Sequence, residues 1–310
     1  MNINYIILAH KEPGQLCRLV EKLSTENTFF YIHVDRSQDI TPFKDVLKDK
    51  SNVFFLSKKN RIASTWGSPG LVKATLQAMR DIIKDNRSGY VILLSGQCYP
   101  IKSNQNIAEF LEKHNGCNFI EGFELPDYRW PNSSIRMQFY TFFLSSEKGD
   151  FITTPSFFDL SVQKILSVGT IKKYLKIFLN APLKTKVLFS KRRFPKELKP
   201  YGGMQWWALP IETIKFIIKY VDENPAYSKY HAFTLFSDEI FFQTLVHNYC
   251  TKVKNSIMFS SWSGIDVSSS PTTITTDHFE ELKQRKEIFA RKFDFEKDQK
   301  VLDMIDQYTA

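Results

Sequence analysis

Ile3-Asn4-Tyr5-Ile6-Ile7-Leu8-Ala9-His10 and Tyr31-Ile32-His33-Val34-Asp35 share one plan. Each is a short run of β-branched and aromatic residues that ends on a side chain able to titrate or bind. Further runs at Phe29–Val34, Val53–Leu56, Tyr90–Leu94 and Asn118–Ile120 also read as strands. Helical spacing fills the intervals at Gln15–Leu23, Pro42–Lys48, Leu71–Lys84 and Ile107–Lys113. Strand–helix alternation with unbroken apolar strands predicts an α/β fold, a mostly parallel sheet flanked by helices, with ligands at the carboxyl ends of the strands. Those ends carry His10, Asp35 and the Ser95-Gly96 turn.

Downstream the pattern loosens. Residues 124–200 are aromatic, basic and irregular, and read as an insertion on the acceptor side of a single domain spanning 1–310. Order returns with a predicted strand at Gln205–Leu209, a helix at Ile211–Val221, another opening at Ser237 and a last one over Phe279–Phe289. Neither GxGxxG nor GxxxxGK[ST] occurs, which disfavours a dinucleotide fold or a P-loop enzyme.

At 310 residues, 43% hydrophobic and 24% charged, the chain can bury a large core and is too apolar for disorder. No apolar run approaches the ~18 residues of a membrane span. Met1 to His10 lacks a basic n-region and a cleavage site, so no secretory signal is read there, and a cytoplasmic protein is expected. Cys17, Cys98, Cys117 and Cys250 show no paired spacing; they read as reduced thiols, with no structural zinc.

The net charge is +9, and its location matters more than its size. Lys172 to Lys199 holds ten basic residues against one acid, Glu197, so the rest of the chain is neutral. The same segment is apolar, with Ile171, Tyr174, Leu175, Ile177, Phe178, Leu179, Val187, Leu188 and Phe189. It reads as an ordinary solvated face, as a flap over an anionic ligand, or as peripheral contact with an anionic membrane through 172–199. No nucleic-acid motif accompanies the charge, so no nucleic-acid partner is expected.

Three constellations could carry chemistry. Ser237-Asp238-Glu239 is either a capped helix start or the bearer of a general base. Arg291-Lys292, between Phe289 and Phe293, either snorkels from a helix end or clamps a diphosphate. Gly202-Gly203-Met204-Gln205-Trp206-Trp207 would send one tryptophan to the core and the other to a cleft, with glycines for close backbone approach. None of the 17 aspartates lies two residues from another, so there is no DxD to hold a metal. Side-chain cations would have to neutralise a leaving diphosphate.

Together the segments resemble the core-2/I-branching N-acetylglucosaminyltransferase and peptide O-xylosyltransferase family. The resemblance is carried by Ile6-Ile7-Leu8-Ala9-His10, Tyr31-Ile32-His33-Val34-Asp35, Ser64-Thr65-Trp66-Gly67, Leu93 through Lys102, Gly202 through Leu209 and Ser237-Asp238-Glu239. Ser269-Ser270-Pro271 and Phe289-Ala290-Arg291-Lys292-Phe293 complete it. It covers nearly the whole chain outside 124–200. It implies a GT-A-type glycosyltransferase fold, Rossmann-like, and an inverting, metal-independent transfer of GlcNAc or xylose from a UDP-sugar, with no cofactor.

By the same resemblance, Glu239 is the base, and Arg291, Lys292 and Ser270 hold the diphosphate. Ala9, Asp35, Ser64, Thr65 and Trp66 hold the nucleotide, and Gln205 and Trp206 lie near the donor sugar. Two departures stand out: Cys98, a possible sugar or acceptor contact, occupies a family aspartate position, and Gln205 replaces the aspartate of xylosyltransferases. Without the anchor and stem of the animal members, a compact bacterial enzyme is expected. Its acceptor would be a glycan or lipid-linked glycan in surface polysaccharide synthesis, at the inner face of the membrane. The rival reading is a non-catalytic glycan- or membrane-binding protein on the same fold.

Overall fold

The computed structural model describes residues 1–160, 167–262 and 271–310. Strands β1 (Ile3–Ala9), β2 (Thr28–Val34), β3 (Val53–Phe55) and β4 (Tyr90–Ser95) alternate with helices α1 (Pro13–Leu23), α2 (Thr41–Asp45) and α3 (Gly70–Lys84). β1 pairs in parallel with β2 on one side and β4 on the other, and every residue of β1 and β4 is buried. Both faces of these strands are covered, which is why their sequences run apolar without alternation. α3 packs on β1 and β2 and buries Val72, Leu76, Met79 and Ile82, spaced three and four apart.

The chain continues through β5 (Cys98–Pro100), α4 (Asn104–Lys113), β6 (Asn118–Ile120), β7 (Phe123–Glu124), α5 (Ser133–Gln138), β8 (Tyr140–Phe143) and β9 (Phe151–Thr154). Then come α6 (Val168–Asn180), β10 (Tyr201–Gly202), β11 (Trp207–Pro210), α7 (Ile211–Glu223), α8 (Pro225–His231) and α9 (Phe241–Tyr249). The last elements are β12 (Val253–Lys254), β13 (Met258–Ser260), α10 (Phe279–Gln284), β14 (Phe289–Arg291) and α11 (Lys300–Tyr308). The main sheet has the order β12-β6-β11-β4-β1-β2-β3. β11 is antiparallel to both its neighbours and the other pairings are parallel, so the α/β architecture is the expected one. A smaller sheet, β13-β14-β5, sets Arg291 directly opposite Cys98.

Three expectations are corrected. The described residues within 124–200 are not irregular throughout: the antiparallel hairpin β8–β9 and α6 enclose a second core of Tyr140, Phe142, Tyr174, Ile177 and Leu188. Its aromatics are spread too thinly along the chain to show a period. The helix expected over Phe279–Phe289 stops at Gln284, because Phe289 and Ala290 are drawn, fully buried, into a strand between β13 and β5. The helix expected to open at Ser237 begins instead at Phe241, after a 3-10 turn over Ser237–Glu239; the buried Ser237 hydroxyl caps nothing. All four cysteines are free thiols.

Candidate active site

The carboxyl end of β2 is held by Asp35. Its Oδ1 accepts the Ser37 amide at 2.8 Å and hydroxyl at 2.6 Å; its Oδ2 accepts the Ser64 amide and hydroxyl, each at 2.6 Å. Burial works to raise the Asp35 pKa, but these four donors outweigh it and hold the group below its ordinary range. The Asp35 amide donates to the Ala9 carbonyl at 2.8 Å, joining the ends of β1 and β2. The Ile62 amide donates to His33 Nε2 at 3.0 Å, and burial lowers this imidazole to about 4, so it is a neutral acceptor. One histidine, His33, and one aspartate, Asp35, thus pin residues 62–64, which lead into Thr65 and Trp66, to the end of β2.

Trp66 meets Phe236 edge-on, with ring centroids 4.6 Å apart, and Lys148 Nζ lies over the Trp66 ring, 4.6 Å from its centroid. The turn between them requires glycine. Gly67 has φ +74, and a Cβ there would stand 2.8 Å from the Phe236 ring. Phe236 in turn leads into the 3-10 turn that carries the two candidate carboxylates.

The structure separates those carboxylates. Asp238 is 5% exposed, its Oδ1 has no hydrogen-bond partner among the described residues, and burial next to Glu239 pushes its pKa up to about 8. The Glu239 side chain is 32% exposed and forms a 2.9 Å ion pair with Arg136 of α5. Burial raises its pKa; Arg136 and Arg291 oppose that rise, and Glu121 adds to it. Glu239 is therefore the accessible carboxylate, poised to hold a proton more tightly than an ordinary glutamate. Gly202 and Gly203 make the close approach behind it: a Cβ would fall 2.6 Å from the Trp130 ring or 2.4 Å from the Glu121 carbonyl oxygen. The Gly203 amide donates to the Glu239 carbonyl at 3.0 Å.

Arg291 sits at the end of β14, not at a helix end, with its guanidinium 4.6 Å from the centroid of the Trp206 ring. Both tryptophans belong to the core, Trp207 packed on Phe242 and Trp206 5% exposed under Arg291, which corrects the expectation that one of them lines a cleft. Burial lowers the Arg291 pKa, while the Cys98 thiol, Glu239 and Asp238 favour its charge. Lys292 is held below the ordinary lysine range, first by burial and then by Arg291, Lys297, Lys148 and Lys11. His10 is lowered likewise by burial and by Lys11, Lys292 and Arg291, with Asp35 pulling the other way. Lys11 pairs with Asp294 at 2.7 Å. Crowded cations of this kind suit a polyanion chemically.

The structure thus links Asp35, Ser64, Trp66, Glu239, Trp206, Arg291 and Lys292, from five separate stretches of chain, around the carboxyl ends of β1 and β2. Thr65 lies in the same loop, its carbonyl accepting the Ser68 amide at 2.8 Å. Gln205 precedes Trp206, with its buried Nε2 unpartnered among the described residues. Cys98 is fully buried, 3.3 Å from the Ser95 hydroxyl, so its thiol supports Arg291 rather than lining an open cleft. Ser270 lies outside the described residues. Sequence reasoning missed Arg136, Lys148, Lys11 and Phe236. Lys11 beside His10 was the one with a local signal; Arg136 is 103 residues from the carboxylate it pairs with.

Comparison with known proteins follows the same lines. The Core-2/I-Branching enzyme family matches residues 3–286. Xylosyltransferase 1 of Rattus norvegicus is 25% identical over 332 residues, covering 99% of this chain and 35% of the relative. Human xylosyltransferase 1 is 24% identical and human xylosyltransferase 2 is 23% identical, with 30% and 33% of their lengths covered. The chain spans about a third of the length of these curated relatives. Among solved structures, 4-diphosphocytidyl-2C-methyl-D-erythritol synthase of Anaerococcus prevotii aligns with a TM-score of 0.34 at 12% identity, over 73% of this chain and 75% of that one. The family match, spanning the strand ends, the Glu239 turn and most of the chain between them, means that this protein belongs to the Core-2/I-Branching enzyme family.

Proposed function

We propose that the protein is an inverting, metal-independent glycosyltransferase using a UDP-sugar donor and a glycan hydroxyl as acceptor. The observation that carries this reading is one accessible carboxylate, Glu239, within electrostatic reach of Arg291, which with Lys292 belongs to a cluster of cations. Glu239 takes the proton from the acceptor hydroxyl. That oxygen attacks C1 of an α-linked donor from the face opposite the diphosphate, the bond from C1 to the diphosphate oxygen breaks, and its electron pair leaves with UDP. Arg291 and Lys292 stabilise the charge that develops there, and the product is a β-glycoside.

The relatives named above are xylosyltransferases, which supports UDP-xylose as donor; Gln205 in place of an aspartate keeps UDP-GlcNAc ahead of it. The acceptor is a lipid-linked or growing surface polysaccharide, and the enzyme works against the inner face of a membrane. Its site is tested by thermal shift with UDP, a panel of UDP-sugars and GDP-mannose, all with EDTA. Ligand at ~100 Kd adds about 2.7 kcal/mol of stability. UDP and one UDP-sugar should raise Tm with EDTA present. Glu239→Gln should keep that shift and lose about 10²–10⁴-fold in turnover. Absence of any nucleotide shift supports the non-catalytic binding protein instead; an active Gln variant removes Glu239 as the base.

A further inference from the structure

α6 is apolar on two faces, and only one of them is packed against a core among the described residues. Tyr174 and Ile177 face inward, against Tyr140, Phe142 and Leu188. Val168, Ile171, Leu175, Phe178 and Leu179 form a neighbouring stripe, turned outward, and are exposed: Val168 to 68% and Leu179 to 74%. Leu183, 88% exposed, and Phe189 extend the patch along the 3-10 turns over Pro182–Phe189. A water-soluble surface does not ordinarily leave that many large side chains contiguous without a partner.

The charge bordering the patch selects the partner. Lys172 and Lys176 lie along one edge of the apolar stripe, and Lys184, Lys186, Lys191, Arg193 and Lys196 follow, all exposed. Lys172, Lys184 and Lys186 make no ion pair among the described residues, while Lys176 and Lys191 have distant ones, 3.9 Å to Asp150 and 3.5 Å to Asp159. Two of the ten basic residues turn inward. Lys173 donates to the Thr153 carbonyl, and Arg192 donates to the carbonyls of Arg136 (2.7 Å), Phe139 (2.5 Å) and Tyr230 (3.2 Å) and to Thr234 Oγ1. The segment is thus sorted into interior braces and an outward layer of apolar and cationic side chains.

We infer that α6 and the turns after it form an interfacial membrane anchor that lies in the headgroup region of an anionic bilayer. Among the described residues no helix is long and apolar enough to cross a membrane, so the element lies in the membrane plane with its apolar stripe inserted and its lysines on lipid phosphates. Arg192 ties the anchor to α5, whose Arg136 pairs with Glu239, so the anchor is braced to the element that holds the candidate base, and its use by a lipid-borne acceptor rests on the proposed function.

The test is co-sedimentation of the full chain with phosphatidylcholine vesicles and with vesicles that also contain phosphatidylglycerol, at low and high salt. Binding should require phosphatidylglycerol and weaken with salt. Leu179→Ser combined with Leu183→Ser removes two exposed side chains, each worth about tenfold or more when buried in an apolar phase, and should abolish most of it. Lys184→Glu with Lys186→Glu should do so as well, at about fivefold or more per lysine removed from an anionic surface. Both variants should keep the native Tm and UDP response, so the result stands apart from the question of catalysis. No vesicle binding, or equal binding to both vesicles, overturns the inference. Concentration-dependent self-association abolished by the leucine variant overturns it too, by giving the face to a second copy.

Discussion

Replacing Lys292 by Met should move stability and ligand affinity in opposite directions. In the protein as it stands, Lys292 is partly buried beside Arg291, Lys148, Lys11 and Lys297, which together with burial depress its pKa. A lysine whose folded pKa lies below its unfolded value destabilises the fold wherever both states are protonated, and that cost disappears as pH rises past the unfolded pKa. Methionine keeps the length of the side chain and leaves the backbone carbonyl, which accepts the Ile274 amide at 2.8 Å, in place. Relief of the repulsion, discounted for the exposed part of the side chain, is worth about 0.5–1 kcal/mol, or about 1–3 °C in Tm for a chain of this size. Under the proposed function the same charge contacts the diphosphate. Losing one charge-assisted hydrogen bond costs about 1.5–3 kcal/mol, so the UDP Kd should rise about 10- to 100-fold.

Calorimetric titration with UDP and with uridine separates the two ends of the nucleotide. Lys292→Met should weaken UDP and leave uridine alone, while Lys292→Arg should keep UDP affinity further into alkaline pH than the native protein does. Unchanged UDP affinity in Lys292→Met would falsify the cation clamp, and an equal loss of uridine would show a general collapse of the site.

Other expectations follow from the same geometry. Arg136→Met removes the 2.9 Å partner of Glu239 and should shift the acid limb of the kcat/KM profile to higher pH, where Arg136→Lys should hold it; identical profiles for native, Met and Lys forms would make the pair structural only. Asp238 has its pKa raised by burial to about 8, so stability should fall as pH rises towards 8, and Asp238→Asn should flatten that dependence in Tm measured from pH 5 to 9; a native Tm that is level across the range refutes it. Gly67→Ala meets both a positive φ and the Phe236 ring at 2.8 Å, and should cost about 1–3 kcal/mol in urea unfolding, with Trp66 fluorescence altered; a neutral substitution would mean the turn is not constrained.

The strands of the first hundred residues were legible because parallel, doubly covered strands leave a local signature: β1 and β4 are apolar at every position or nearly so, and the helices between them repeat at three and four. The Arg291-Lys292 pair was legible as chemistry but not as placement. A six-residue helix followed by a strand cannot be told from one longer helix when the apolar run Ile288-Phe289-Ala290 fits either, and the sheet partners that decide it come from Met258–Ser260 and Cys98–Pro100. The hairpin within 124–200 was hidden because its core draws single aromatics from β8, α6 and the turn at Leu188.

By itself, the sequence determined that the chain alternates strand and helix, ends its strands on His10 and Asp35, carries two adjacent carboxylates and two adjacent cations, and packs its whole charge excess into 172–199. Those are properties of neighbours along the chain, and short-range periodicity and composition record them directly. Tertiary structure alone decided that Glu239 faces outward while Asp238 is buried, that Arg136 is its partner, that Cys98 backs Arg291, and that Arg192 is a brace while Lys184 and Lys186 are surface charge. Each of those outcomes depends on which distant segment arrives to exclude water from a side chain or to supply its counter-charge, and burial and ion pairing act between residues that are far apart in sequence.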